Sequence, residues 1–117
     1  MSITTILTGV GGAIGCDYNA SADQLVFVEF DGKLSAVQTA THAYTVFGTG
    51  YTNPEDVKLS TNGSLAYITE RSGDLVRVTL PNAPRSSAVV IATGMTAPIA
   101  GRIARWIRGY AGGGHGP

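Results

Sequence analysis

Displaced by 41 residues, the sequence lies on itself without a gap. Thr8-Gly9 falls on Thr49-Gly50, Glu29 on Glu70, Gly32 on Gly73, Leu34 on Leu75 and Val37 on Val78. A third start follows at Thr93-Gly94, where Gly94-Met95-Thr96-Ala97-Pro98 echoes Gly50-Tyr51-Thr52-Asn53-Pro54 at a spacing of 44, and the three extra residues fit the loop between Pro81 and Ser87. A chain that repeats at this interval builds one supersecondary unit twice and stacks the copies, since a single repeat does not bury its apolar faces alone. With 117 residues there is room for one small domain and none is expected beyond it.

Inside each period the apolar residues recur at the spacing of strands. In the first unit (residues 8–48) the runs 14–18, 25–30, 34–38 and 44–47 read as strands. In the second (49–92) the runs are 56–60, 65–70, 75–80 and 88–92. Val76, Val78 and Leu80 alternate with Arg77 and Thr79, as a half-buried strand requires. Asp31-Gly32, Asn62-Gly63 and Ser72-Gly73 supply the hairpin turns, their glycines permitting positive φ. The expected fold class is all-β, with two four-stranded antiparallel meanders, each the size of one β-propeller blade. Residues 3–7 lie over the last strand of the first unit and form an outer strand without a blade of its own, so blades occupy residues 1–98.

The stretch Gly50-Tyr51-Thr52-Asn53-Pro54-Glu55-Asp56-Val57-Lys58-Leu59-Ser60-Thr61-Asn62-Gly63, followed by Leu65-Ala66-Tyr67-Ile68-Thr69-Glu70, resembles bacterial β-propeller repeats of the YVTN and NHL type. These carry a Gly-x-x-x-Pro entry, an apolar inner strand, an Asn/Asp-Gly turn and a Tyr-Val-like second strand. The resemblance covers residues 3–98, and the first unit departs from it with Gly12-Ala13 in place of Asn53-Pro54. It implies a fold and not an activity, because relatives include binding modules, lectin-like proteins, scaffolds and a few lyases.

Propellers usually have four to eight blades. Two blades leave two sheet faces uncovered, so the expectation is a homo-oligomer, three chains giving six blades or four giving eight. The opposing expectation is a truncated piece of a longer propeller. From Pro98 the repeat breaks, and Ile99, Ile103, Trp106, Ile107 and Tyr110 form one stripe of a short helix, with Arg102, Arg105 and Arg108 off that stripe. That basic tail, residues 99–117, is read as capping a blade face or the neighbouring chain. A membrane-surface helix and an accidental sequence are the other two readings.

Charge and motifs bound the function. The net charge is zero. Eight acids and only five bases lie in residues 1–95, so no nucleic-acid groove is expected on the body. No stretch reaches the length of a membrane span, and no basic residue precedes the apolar start as a signal peptide would require. Cys16, the single cysteine, alternates with Ile14 and Tyr18 and reads as a buried strand thiol; neither His42 nor His115 can be placed beside it. No phosphate loop, zinc spacing, calcium loop or serine elbow is present, and no cofactor or metal is expected.

The candidate ligand-binding residues are Glu29 and Glu70, read as a repeated set of rim carboxylates for a cation or polar ligand, or else as solvated or turn-bonded strand ends. Asn53, Glu55 and Asp56, at the entry to an inner strand, are candidates for lining a central channel. The functional expectation is a non-enzymatic module binding a small ligand, glycan or protein. Its rival is a propeller lyase or hydrolase with an axial metal site.

Overall fold

The computed structural model describes residues 3–95. Eight strands form two four-stranded antiparallel sheets, each a meander with its strands in chain order. The first holds β1 (Ala13–Asn19), β2 (Gln24–Glu29), β3 (Leu34–Gln38) and β4 (Tyr44–Gly48). The second holds β5 (Pro54–Leu59), β6 (Leu65–Glu70), β7 (Leu75–Thr79) and β8 (Val89–Ala92). Every strand expected from alternation is present, and the edges move by two residues or fewer. A short 3-10 turn, Arg85–Ser87, sits in the additional loop of the second sheet.

The repetition extends to individual backbone bonds. The Glu29 N–H donates to the Lys33 carbonyl and the Glu70 N–H to that of Asp74; the Phe30 N–H donates to Gly12 and that of Arg71 to Asn53. Both sheets break register at corresponding points, between Leu34 and Ser35 in one and between Leu75 and Val76 in the other. The apparent departure at Gly12-Ala13 dissolves here. Gly12 and Asn53 both have positive φ, 89° and 44°, a conformation that glycine and asparagine tolerate best. One backbone requirement is met by two residue types.

Each sheet has two apolar faces, and alternation along the strands sorts residues between them. The front of the first sheet, with Val26, Val28, Leu34 and Ala36, packs on the back of the second, with Val57, Leu59, Ala66, Ile68, Val76 and Val78. Tyr51 and Ala83 complete this core. The displacement by 41 maps Val26 onto Tyr67 and Leu34 onto Leu75, which lie on the far side of the second sheet with Leu65, Ala92 and Met95. It maps Phe27 onto Ile68 and Val37 onto Val78, so the far side of the first sheet is a back face like the one already covered. The molecule is therefore two blades stacked front to back.

Two expectations are corrected. Residues 3–7 are not a strand and join neither sheet among the described residues. Cys16 is exposed, as are Ile14 and Tyr18. Cys16 pairs opposite Phe27 on the back face of the first sheet, on which no sheet packs among the described residues; Phe27 is buried there and Cys16 is not. The helix stripe Ile99, Ile103, Trp106, Ile107 and Tyr110 lies outside the described residues. Among the described residues no helix is long and apolar enough to cross a membrane.

Candidate functional site

Glu29 and Glu70 end the second strand of their blades, and the structure takes both inside, at 0% and 4% exposure. Neither carboxylate is set out on a rim. Each accepts from the backbone of the loop that leads into its own inner strand: the Gly11 N–H reaches Glu29 Oε1 at 2.6 Å, and the Thr52 N–H reaches Glu70 Oε2 at 2.9 Å. Gly11 and Thr52 are themselves repeat equivalents. A carboxylate suits the position because it accepts several hydrogen bonds at once and so fixes a loop that has no strand partner.

The remaining partners differ between blades. Glu29 Oε2 accepts from the hydroxyls of Ser35 and Tyr44, both at 2.5 Å. Burial alone pushes the Glu29 carboxyl up, but the bonds from Ser35, Tyr44 and Gly11, with the nearby Lys33 charge, together hold it below the ordinary glutamate value. Tyr44 is raised, first by burial and then by its bond to Glu29. Glu70 instead takes both prongs of Arg85, with Nε to Oε2 and Nη2 to Oε1 each at 3.1 Å. The Arg85 guanidinium is also 3.8 Å from Asp74, and its bond to Glu70 strengthens its hold on the proton. Arg85 comes from the loop between β7 and β8, which is three residues longer than its counterpart in the first unit, so no repeat signal pointed to it.

That loop also joins the blades. The Tyr51 hydroxyl donates to the Ala83 carbonyl at 2.6 Å, the Ala83 N–H to Phe47, and the Arg85 N–H to Thr49. Burial pushes the Tyr51 phenol up to about 12. On the inner-strand side Asp17 Oδ2 accepts the Leu59 N–H at 2.8 Å, and Lys58 Nζ reaches the Cys16 carbonyl at 3.4 Å.

Asn53 and Glu55 are brought together with Ile14, Phe30, Pro54 and Arg71 around a shallow cleft of about 50 Å³ at the blade junction. Arg71 Nε lies 3.7 Å from Glu55 Oε2. Asp56 is next in sequence but is engaged elsewhere, with Oδ1 accepting the Val57 N–H and Oδ2 3.6 Å from Lys58 Nζ. The space enclosed holds only a few waters, and Asn53 and Arg71 stand exposed at its mouth. Among the described residues no three His, Cys, Asp or Glu side chains converge as metal ligands.

A larger space, about 200 Å³, lies on the back face of the first blade. Leu25, Phe27 and Val37 form its floor, Ala13 and Cys16 one wall, and Ile6, Leu7 and Val10 its cover. It contains no polar side chain able to orient a ligand.

No protein-family profile matches the sequence, and no curated protein matches it. Among solved structures the chain is similar to dihydro-heme d1 dehydrogenase NirN in complex with DHE, with a TM-score of 0.53 and 18% identity. The similarity covers 68% of this chain and 17% of that one, so the chain spans a small part of that protein's length. At this identity the likeness concerns the fold alone, and it is a propeller-like fold.

Proposed function

We propose that the chain is a non-enzymatic β-propeller module that completes a multi-blade ring by association of identical copies and presents the ring's polar surface to a glycan or protein ligand. One observation carries this reading. The covered interface is front against back, and the two faces on which no sheet packs among the described residues are one back, with Phe27 and Val37, and one front, with Tyr67 and Leu75. Such surfaces satisfy one another head to tail, and a rotation that closes gives a ring. Ile14, Tyr18, Val89, Val90 and Ile91 add further exposed apolar surface, with exposures of 39–50%. Three chains supply six blades and four supply eight, within the range of ring sizes that propellers adopt. Asn53, Glu55 and Arg71, repeated around such a ring, are the polar groups available to a ligand.

Sedimentation of the purified chain tests the assembly. Discrete species at three or four times 12.1 kDa are expected. A monomer at micromolar concentration overturns the ring of copies. A glycan array, with Asn53→Ala as the control, tests the ligand surface; binding that survives the substitution unchanged moves the site elsewhere.

A second reading has its own observation. The Met95 N–H donates to Gly73, repeating the bond from Tyr51 to Gly32, so a third entry is already docked on the second blade. This favours the chain as two blades of a longer ring, and a monomeric result leaves that reading standing.

A further inference from the structure

The described chain holds three copies of one segment but only two blades to use them. Ile-Thr-Thr-Ile-Leu-Thr-Gly-Val at 3–10, Tyr-Thr-Val-Phe-Gly-Thr-Gly-Tyr at 44–51 and Ala-Val-Val-Ile-Ala-Thr-Gly-Met at 88–95 align without a gap. Each consists of an outer-strand sequence, the dipeptide Thr-Gly with glycine at positive φ (76°, 94° and 71°), and one large apolar residue. In the second copy, Tyr44–Gly48 pairs with β3, and Tyr51 then inserts between the blades. In the third, Val89–Ala92 pairs with β7, and Met95 packs on Tyr67 and Leu75. The first copy pairs with nothing among the described residues.

It is nonetheless held where a working copy belongs. Phe47 and Tyr51 lie against the core that includes the back of the second blade; their equivalents Ile6 and Val10 lie against the back of the first. Relative to the blade that follows it, the unused segment occupies the station of its paired counterparts. What it lacks is the third strand of a preceding blade.

We propose that residues 3–10 of one copy and residues 88–95 of a second are interchangeable, and that the second copy's β7 accepts residues 3–7 as its outer strand in place of its own β8. This rests on the ring of copies proposed above and specifies how the junction is made. The front face of the second blade meets the back face of the first with the connecting strand contributed across the chain boundary. The register follows from both existing blades. Ser35 pairs with Val46 and Ala36 with Thr45, while Val76 pairs with Val90 and Arg77 with Val89. Both pairings place Thr5 opposite Val76 and Thr4 opposite Arg77 of the accepting copy. The exchange costs little in backbone bonding, because one strand replaces another on the same edge. The donor segment takes up the ladder that the displaced β8 gives up.

Disulfide trapping tests the register in the full chain with Cys16→Ser. Cross-strand partners lie close enough for a disulfide to form. Arg77→Cys with Val89→Cys is the reference, and it links within one chain in every copy that keeps β8 on β7. Arg77→Cys with Thr4→Cys is expected to give disulfide-linked dimers and higher multiples on oxidation, and mixed dimers when two chains of different mass are combined. Thr4 and Arg77 are both exposed, so neither substitution disturbs the core. Oligomers by sedimentation that show no link between 4 and 77, in conditions where 77 and 89 link readily, overturn the exchange and leave the ring in place. A monomer without the link overturns both, and a link formed within one chain overturns the exchange.

Discussion

Gly48 shows how much a single missing side chain decides. A Cβ there would lie 2.0 Å from the Ala83 carbonyl oxygen, which belongs to backbone and has no rotamer by which to withdraw. Gly48→Ala is expected to lower stability by about 1–3 kcal/mol through overpacking at the blade junction, measured by urea unfolding. Glu29 gives a pH signature. Its carboxyl is held below the ordinary value in the folded chain, so its contribution is complete above the unfolded value of about 4.3 and is lost as pH falls through the lower folded value. Glu29→Gln is therefore expected to flatten the decline of stability on the acid side. At pH 7 it should cost about 1–3 kcal/mol through a disturbed buried network, and thermal unfolding across pH 2–7 reads both effects. Equal acid sensitivity in the two proteins would remove Glu29 as the cause. The repeated glutamate stood out in the sequence as a candidate. Its role was not legible there, because the partners Gly11, Ser35 and Tyr44 come from three other segments.

Among the elements, strands and turns were the most legible part. Hydrophobic alternation reports which residues share a face, and the Gly32 and Gly73 turns report where the chain reverses. The loop between β7 and β8 was legible only as three surplus residues. In space it supplies Ala83 to the core, a carbonyl to Tyr51 and a guanidinium to Glu70. Tyr51→Phe keeps the packing and deletes one buried bond, and about 1 kcal/mol is expected to be lost. Removing residues 82–84, which restores the loop length of the first unit, should cost more, because the anchor at Ala83 is lost and Arg85 moves out of reach of Glu70. A thermal midpoint within 2 °C of the parent after that deletion would show that the loop does not weld the blades.

For the whole molecule, the decisive feature is that one front face and one back face have no sheet packed on them among the described residues. Charge placed on that back face separates assembly from folding. Cys16 is exposed in the single chain, so Cys16→Asp is expected to leave the monomer's unfolding curve within about 0.5 kcal/mol while shifting the sedimentation profile toward smaller species. An unchanged profile would mean that this face is not the junction. The apolar space beside Cys16, covered by Ile6, Leu7 and Val10, belongs to the same surface and is read with it.

The sequence by itself determined the repeat, the strand order within each unit, the turn positions and the all-β class, because these depend on local periodicity and on backbone conformations that few residues tolerate. Only the tertiary structure decided which side of each strand is covered. Alternation assigned Cys16, Ile14 and Tyr18 to one set but was blind to the register shift between Ala13 and Cys16, which puts Ile14 at the blade junction and Cys16 on the face that no described sheet covers. The tertiary structure equally decided that Glu29 and Glu70 are internal staples, and that residues 3–7, a strand by sequence, join neither sheet among the described residues. A strand needs a partner for its backbone bonds, and that partner is a property of the assembled fold rather than of the segment.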